Sequence, residues 1–325
     1  MTYLISNLKL QNNTILPLPQ FNNQWAIKKY NNSVSVTSNS CLHRGAIIVR
    51  EEQPFLGNMT CPMHKWTYDS SGVLMGEPFE NAKGCLDTQT THNWNNLLFT
   101  EDPQIKNFPT HLTNMISLDN YVHVKTDTKI LKSSWQIFME VHLDLYHVDA
   151  YHPGLSKFVD PNNFNWHFGD TWCLQEMMRD QSQKKIPCNY FNELNQIINS
   201  RYPQFKHGAL WMTIYPNITI EWYPNTIIIG TIWPTQNPNE SMYITEFHYA
   251  DHVVAYDKEF IELQMAAYET TDVEDGEILE FIQLGRNKDV SYYPTHPVLE
   301  KGIGIFYEYL KTNDFNKMFK VKQFE

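Results

Sequence analysis

The sequence has no long apolar run and little positive charge, and each absence argues against a class of protein. No stretch approaches the ~20 apolar residues that a membrane-spanning helix needs. The longest, NTIIIGTIWP at 225–234, is short, β-branched and closed by a proline, so it predicts a buried strand. The net charge is -11, whereas the phosphates of nucleic acids select basic surfaces. We therefore expect a globular protein that binds neither a membrane nor nucleic acid.

Cysteine is also scarce. The chain has 5 cysteines in 325 residues, and an odd number in a long chain suits reduced thiols or metal ligands better than a disulfide framework. The first residues, MTYLISNLKLQNN, lack the basic start, the apolar stretch and the cleavage site of a secretory signal. Both observations predict a cytoplasmic protein.

The pattern of apolar residues and turn signals divides the chain in two. Residues 1–112 contain short apolar segments separated by turn signals, which is typical of a small all-β domain. Residues 113–325 alternate between helical and strand patterns, with a helical segment from about 175 to 200. The other predicted elements of this second part are helices at 133–150 and 257–287 and strands at 121–126, 209–216, 218–224, 226–234 and 242–250. We expect an α+β domain built on a central antiparallel sheet.

Two Cys–His pairs lie close together in the first part. Cys41 and His43 have one residue between them, Cys61 and His64 have two, and 17 residues separate the pairs. Chance is a poor explanation for four ligand-type residues in two tight pairs, and structural zinc sites usually pair Cys with Cys and His with His. Mixed pairs suit a [2Fe–2S] cluster in which two imidazoles replace two thiolates on one iron.

This segment strongly resembles the Rieske motif, C-x-H-x(~17)-C-x-x-H. Gly45 would let the backbone approach the cluster sulfides, and Trp66, two places after the last His, would shield the site from water. Two neighbours depart from the motif, since Met63 stands where an aromatic is common and Lys65 where Gly is common. The resemblance implies that the cluster is bound by Cys41, His43, Cys61 and His64.

A second set of candidate ligands lies in EVHLDLYHVDAYHPG, residues 140–154. Asp144 and His147 are three residues apart, so both would project from one helical face. His152 lies five residues beyond His147, and both imidazoles can reach one metal only if the helix ends or bulges between them. The Pro-Gly pair that follows indicates such an ending. Spacing alone leaves open a helix with scattered polar residues.

The segment resembles the mononuclear iron helix of the Rieske non-haem iron oxygenases, the aromatic ring-hydroxylating oxygenase α-subunit family. The family pattern is E-N-x-x-(D/E)-x-Y-H-x-x-x-x-H-P, and Val141 replaces its Asn. The residues that match are Glu140, Asp144, Tyr146, His147, His152 and Pro153. In the family, two His and one carboxylate hold the iron and leave positions open for oxygen and substrate. The resemblance therefore assigns His147 and His152 as iron ligands.

The third ligand is implied by a downstream segment. TTDVEDGEILEFIQLGR, residues 270–286, resembles the family's E-D-x-x-x-x-E-x-x-Q-x-G segment, in which the Asp ligates the iron. On that match Asp275 is the ligand. Spacing alone does not distinguish it from Asp272, Glu274 and Glu277.

The resemblance also implies an architecture and partners. An all-β Rieske [2Fe–2S] domain (1–112) would precede a helix-grip-like catalytic domain (113–325). In the family's head-to-tail homotrimer, the carboxylate at the place of Asp144 joins the iron ligand His147 to the neighbouring subunit's cluster His, which by position is His64. Electrons come from NAD(P)H through a reductase, in some systems with a ferredoxin. This chain has neither a G-x-G-x-x-G fingerprint nor the plant-type ferredoxin cysteines, so the reductase would be a separate protein.

The substrate is a small organic molecule that the sequence leaves open. The strands IYPNITIEWYP and TIIIGTIWP are similar to the catalytic sheet of the choline, carnitine and glycine-betaine monooxygenases. That branch implies hydroxylation or oxidative demethylation of a quaternary amine, held by cation–π contacts in an aromatic box. The candidate box residues are Trp211, Tyr215, Trp222, Tyr223 and Trp233.

Three other interpretations remain: a core role for these aromatic side chains, an aromatic or polycyclic substrate, and an electron carrier. Aromatic side chains on a sheet are usually core. Asp144 departs from that branch, whose members tend to have Glu, and an apolar pocket would also suit an aromatic or polycyclic substrate. A Rieske electron-transfer protein without oxygenase activity is the third, although an electron carrier has no use for three iron ligands.

Overall fold

The computed structural model describes residues 2–76, 82–179, 188–286 and 295–313. Its internal contacts divide the chain into two compact units, and the division falls between Pro103 and Gln104. This lies a few residues before the domain boundary expected at 112, which stays a prediction. None of the helices within these described ranges combines the length and the apolar character needed to span a membrane.

The first unit is built from short strands, as predicted. Its strands are β1 (Tyr3–Ser6), β2 (Thr14–Pro17), β3 (Trp25–Tyr30), β4 (Ser33–Ser38), β5 (Gln53–Pro54), β6 (Asn58–Thr60), β7 (Thr67–Asp69), β8 (Leu74–Gly76), β9 (Thr88–Thr90), β10 (His92–Trp94) and β11 (Leu97–Phe99). They form three antiparallel sheets with the orders β1-β11-β10, β5-β2-β3-β4-β9 and β6-β7-β8. One apolar cluster of this unit contains Cys41 and Cys61 together with Val49 and Phe55, so both thiols lie in its core.

The second unit is α+β. Its strands are β12 (Tyr121–Leu131), β13 (Val159–Phe168), β14 (Trp172–Arg179), β15 (His207–Ile214), β16 (Ile218–Tyr223), β17 (Thr226–Pro234) and β18 (Ser241–Ala250). Its helices are α1 (Trp135–His142), α2 (Val148–Tyr151), α3 (Leu155–Phe158), α4 (Asn189–Arg201), α5 (Asp251–Tyr256), α6 (Lys258–Arg286) and α7 (Lys301–Thr312). The strands form one antiparallel sheet in the order β12-β18-β17-β16-β15-β14-β13.

The central strands of this sheet confirm the sequence patterns. β15, β16, β17 and β18 lie where strands were predicted, and almost every residue of β17 is buried, as its unbroken apolar run indicates. Because facing residues of paired strands point to the same side of a sheet, the pairing of Gln175 with Trp211, of Trp211 with Glu221 and of Glu221 with Ile228 defines one row on one face. Gln175 donates to the carbonyl of His142 at the end of α1, so this row faces the helices.

Two predicted helices differ from the structure. The helix expected over 133–150 ends at His142, because the Asp144 carboxylate accepts the backbone N–H groups of Tyr146 and His147 and so competes with the helical hydrogen bonds. The helix expected from about residue 175 begins at Asn189 within the described residues, and 180–187 lie outside them. Residues up to Arg179 belong to β14 instead.

The misassigned strand shows how pairing overrides local preference. The sequence WCLQEMMR of β14 is rich in Leu, Gln, Glu and Met, which favour helices intrinsically. It is buried on both faces and pairs with β13 on one side and β15 on the other. Burial on both faces removes the alternating pattern from which a strand is recognised.

A buried carboxylate of α1 holds the end of α6 by an ion pair and the middle of α7 by a hydrogen bond. Arg286 donates to both carboxylate oxygens of Glu140, at 2.7 Å from Nη1 to Oε1, and the hydroxyl of Tyr307 donates to the same carboxylate. Glu140 is buried. The pair holds α1 in place directly before the segment that carries Asp144 and His147.

We expect Glu140→Gln to destabilise the second unit. Removing one member of a buried ion pair leaves the other charge uncompensated and costs about 3 kcal/mol, which corresponds to a fall in melting temperature of roughly 6–12 °C for a domain of this size. Scanning calorimetry measures the change. The control is Glu280→Gln, which removes a carboxylate from an exposed pair with Lys132 and should shift the melting temperature by less than about 2 °C. Equal melting of the two variants would contradict the assignment.

Candidate active site

Three side chains that lie far apart in sequence converge in the second unit. Nε2 of His152 lies 3.1 Å from Oδ1 of Asp275 and 3.1 Å from Nε2 of His147, and Nε2 of His147 lies 3.5 Å from the same oxygen. One ligand atom from each of the three lies within 4.8 Å of the others. The donor set, two imidazoles and one carboxylate, fits a divalent iron with open positions.

The two imidazoles are spaced by one helical turn. His147 is the residue before α2, and His152 is the residue after it, with φ −112° and ψ 74° outside the helical region. A helix therefore ends between the two residues, as their convergence requires, but it is the separate short helix α2 and not the predicted continuation of α1. Pro153 follows immediately, and its ring cannot continue a helix.

A carboxylate lies close to the other nitrogen of each imidazole. Nδ1 of His147 lies 3.3 Å from Oδ2 of Asp144, and Nδ1 of His152 lies 2.7 Å from Oε2 of Glu274. Such carboxylates behind the ligands fix the ring orientation and the tautomer. The family pattern predicted that Asp144 connects His147 to the neighbouring subunit's cluster, and that bridging role stays a prediction. The contact of Glu274 was not predicted, because its partner lies 122 positions away.

The charges of this cluster stabilise one another. Burial lowers the pKa of His147, but the carboxylates of Asp144 and Asp275 more than offset burial and raise it to about 9. Burial raises the pKa of Asp275, and hydrogen bonds from His147 and His152 outweigh burial and lower it to about 2. The carboxylate is therefore ionised at neutral pH, as a metal ligand must be, and a metal competes with protons for the ring nitrogens.

The other acidic residues of 270–286 have different surroundings. The carboxylate of Asp272 pairs with Lys129, that of Glu274 contacts the outer nitrogen of His152, and Glu277 is exposed. Asp275 alone among these candidates lies beside the Nε2 atoms of both imidazoles. The geometry favours the residue that the family pattern assigns.

Two cavities open beside the three side chains. The small cavity is lined by His147, His152 and Asp275. The large cavity has about 840 Å³ of space, including its opening, and is walled mainly by apolar side chains such as Leu131, Phe138, Phe158, Phe191 and Leu279. His142, Glu221, Tyr223 and Asp275 line both cavities. Burial lowers the pKa of His142 to about 4, so its imidazole is neutral at physiological pH.

The expected aromatic box is only partly present. Trp211 lines the small cavity and Tyr223 lines both, whereas the buried side chains of Tyr215, Trp222 and Trp233 line neither. Trp211 donates its indole N–H to the hydroxyl oxygen of Tyr223 at 2.9 Å. Two of the five candidate residues therefore line the cavities, and the other aromatic side chains of the large cavity, such as Phe138, Tyr243 and Tyr268, were not among the candidates.

Glu221 is a buried carboxylate on the cavity wall that the sequence interpretation missed. It is 9% exposed and lies on β16 within the sequence ITIEWY. A single acidic residue inside a strand predicted to be buried was the available signal, because burying an unpaired charge is costly. The sequence analysis instead assigned its neighbours Trp222 and Tyr223 to an aromatic box.

The two Cys–His loops of the first unit share one backbone plan. The N–H of Cys41 donates to the carbonyl of Ala46, and the N–H of Cys61 to that of Trp66, five residues on in each case. In each loop the residue four places after the cysteine has a positive φ, 71° at Gly45 and 65° at Lys65. Lys65, a departure from the motif, thus adopts the left-handed backbone conformation that favours glycine at this place.

The side chains of the loops form a compact ligand set. Cys41 and Cys61 are buried, and Nδ1 of His43 lies 3.2 Å from Nδ1 of His64. Trp66 stacks on His43 with ring centroids 4.9 Å apart. Two buried thiols with two clustered imidazoles at their rim fit the Rieske cluster's two-thiolate, two-imidazole donor set.

Comparison with known families identifies both domains. Residues 3–109 match the Rieske [2Fe-2S] domain, and residues 118–313 match the catalytic domain of the ring-hydroxylating α subunit. The chain belongs to this family and is an oxidoreductase, a Rieske non-haem iron oxygenase. The cofactors of the family are a Rieske cluster and a mononuclear iron, and the donor sets described above fit both.

Individual relatives act on amines. The chain is 32% identical to a putrescine 2-hydroxylase of Ralstonia nicotianae, over 78% of this chain and 71% of the relative. It is 31% identical to a putrescine 2-hydroxylase of Bordetella bronchiseptica, over 80% of this chain and 65% of the relative. The glycine betaine monooxygenase oxygenase subunit of Chromohalobacter salexigens is 23% identical over 79% of this chain and 66% of the relative.

The fold is shared with a solved oxygenase structure. The quaternary ammonium Rieske monooxygenase CntA, in complex with an inhibitor, superposes with a TM-score of 0.76 over 95% of this chain and 88% of that chain. The sequence identity is 15%. The likeness confirms the expected fold, a Rieske domain followed by a catalytic domain with a large antiparallel sheet.

Proposed function

We propose that this chain is the terminal oxygenase that hydroxylates a small aliphatic amine, with electrons delivered from NAD(P)H by a separate reductase. The observation that carries the proposal is the convergence of His147, His152 and Asp275 at the wall of an apolar cavity that also contains a buried carboxylate. The similarity to two putrescine hydroxylases supports an amine as the substrate. The family assignment argues against the alternative of an electron carrier.

The proposed roles of the residues follow from their contacts. His147, His152 and Asp275 hold the mononuclear iron, while Asp144 and Glu274 fix the two imidazoles from behind. The cluster is held by Cys41, His43, Cys61 and His64. The iron and the cluster, when bound, supply oxygen activation and single-electron transfer. The apolar cavity walls exclude water from the substrate's C–H bonds.

The reductase supplies the two electrons that the overall reaction needs. A substrate C–H bond, one O2, two electrons and two protons give a C–OH group and one water. Asp144 is proposed to connect His147 with His64 of the adjacent subunit in a head-to-tail trimer, as in the family. The trimer, the reductase and the cytoplasmic location remain predictions.

The test is substrate-dependent product formation by the reconstituted oxygenase and a reductase. Putrescine, a quaternary amine such as glycine betaine and an aromatic acid are supplied in turn under ¹⁸O2. We expect one ¹⁸O atom in the putrescine product and NADH consumption matched to it. Turnover of the aromatic acid with no product from either amine would contradict the proposal and favour the aromatic alternative.

A further inference from the structure

Glu221 has a fixed orientation toward the cavities. The hydroxyl of Tyr223 donates to Oε2 of Glu221 at 2.8 Å, and Trp211 donates to the oxygen of that hydroxyl at 2.9 Å. Because the indole nitrogen can only donate, the one phenolic proton of Tyr223 is directed to the carboxylate. Oε1 of Glu221 has no hydrogen-bond partner among the described residues.

The charge of Glu221 is not compensated. In the described part of the chain no Lys, Arg or His pairs with it, whereas Asp272 in the wall of the large cavity is paired with Lys129 and the buried Glu140 with Arg286. Burial, together with the nearby charges of Asp275 and Asp272, outweighs the hydrogen bond from Tyr223 and raises the pKa of Glu221 to about 7. A cation in the cavity would remove the energetic cost of ionising this carboxylate.

We propose that Glu221 binds the ammonium group of the substrate and selects amines that carry N–H bonds over quaternary amines. This inference rests on the proposed function. An ammonium N–H can form a charge-assisted hydrogen bond with Oε1, which is among the strongest polar contacts in proteins. A trimethylammonium group has no N–H to donate, so it cannot form this hydrogen bond and gains only charge attraction and cation–π contacts from the aromatic walls.

The position of Glu221 also fixes which carbon reacts. Glu221 lines the small cavity together with His147, His152 and Asp275, so an ammonium bound there brings the carbons next to the nitrogen beside the iron ligands. The methylene chain then extends along the apolar wall of the large cavity. The hydroxylated carbon should therefore lie at a fixed number of bonds from the bound nitrogen. This number should stay the same when the methylene chain of the substrate is lengthened.

The test compares two isosteric variants in the iron-loaded, cluster-loaded oxygenase under anaerobic conditions. Glu221→Gln removes the charge and keeps the shape, and Glu262→Gln removes one charge from the exposed side of α6. Isothermal titration with putrescine and with its bis-trimethylammonium analogue measures binding without turnover. We expect wild-type protein and Glu262→Gln to bind putrescine alike and at least tenfold tighter than the analogue. Glu221→Gln should bind putrescine about 10- to 100-fold more weakly, with unchanged iron content and cluster spectrum.

Product analysis tests the second consequence. In wild-type protein, putrescine and its one-carbon-longer homologue cadaverine should be hydroxylated at the same distance from a nitrogen. The proposed role of Glu221 would be wrong if Glu221→Gln bound putrescine within twofold of wild type, or if wild-type protein bound the quaternary analogue more tightly than putrescine. Either result would leave the proposed amine hydroxylation in place. Failure of wild-type protein to bind any amine while it turns over an aromatic acid would overturn both proposals.

Discussion

Asp275→Ala is expected to abolish hydroxylation and to remove the mononuclear iron while the Rieske cluster remains. The variant retains two imidazoles and loses the carboxylate that lies 3.1 Å from His152 and 3.5 Å from His147. That carboxylate supplies the only formal negative charge of the proposed donor set, so its loss weakens iron binding more than the 10- to 100-fold effect typical of an outer partner. We expect iron to fall from about three to about two atoms per chain, because the cluster keeps two.

Iron analysis and EPR spectroscopy measure this outcome. Nitric oxide added to reduced wild-type protein should give an iron–nitrosyl signal that is missing in the variant, while the reduced-cluster signal is the same in both. Glu277→Ala is the matched control, since Glu277 is an exposed acid two residues further along α6. A nitrosyl signal of wild-type intensity in Asp275→Ala would show that Asp275 is not a ligand.

Asp144→Asn should leave both metal centres bound and slow electron transfer between them. The amide oxygen can still accept the backbone N–H of Tyr146, which Oδ1 of Asp144 now accepts at 2.6 Å, so the turn should keep its shape. The charge that faces Nδ1 of His147 at 3.3 Å is lost. Since this carboxylate is the proposed connection to the neighbouring subunit's cluster, we expect cluster reoxidation to slow by about 10- to 100-fold.

A single-turnover experiment isolates this step. The cluster and iron are reduced, the reductase is omitted, and cluster absorbance is followed after mixing with substrate and O2. Asp149→Asn, an exposed substitution in α2, is the control. Cluster reoxidation in Asp144→Asn at the wild-type rate, with normal iron content, would exclude the bridging role.

Much of the fold was predictable because its signals are local. The short strands of the first unit, the buried strands β15 to β18 and the long helix α6 each carry their own periodicity or turn residues. β13 and β14 do not. Burial of β14 on both faces removed its alternation, and its pairing partners could not be identified from sequence. The early end of α1 was missed because it depends on one side chain, Asp144, bonding to the backbone beyond it.

In the candidate site, too, some residues were predicted from the sequence and others were not. Spacing and family resemblance predicted His147, His152 and the Cys–His pairs as ligands, and the structure brings the members of each set close together. Glu274 was not, because its contact with His152 exists only once α6 has folded against the region of α2. The single acidic residue of the buried strand ITIEWY was a signal for Glu221, but whether its charge is compensated depends on contacts that the sequence does not show.

The two Cys–His loops expose their imidazoles to different extents. Their backbone hydrogen bonds close rings of equal length, yet the imidazole stands at the second place after the cysteine in one loop and at the third in the other. The unequal gaps therefore make the two imidazoles inequivalent: His43 lies partly buried against Trp66, and His64 is exposed. Of the two proposed cluster ligands, His64 is therefore the imidazole more accessible to a neighbouring chain, as the proposed electron route through Asp144 of that chain requires.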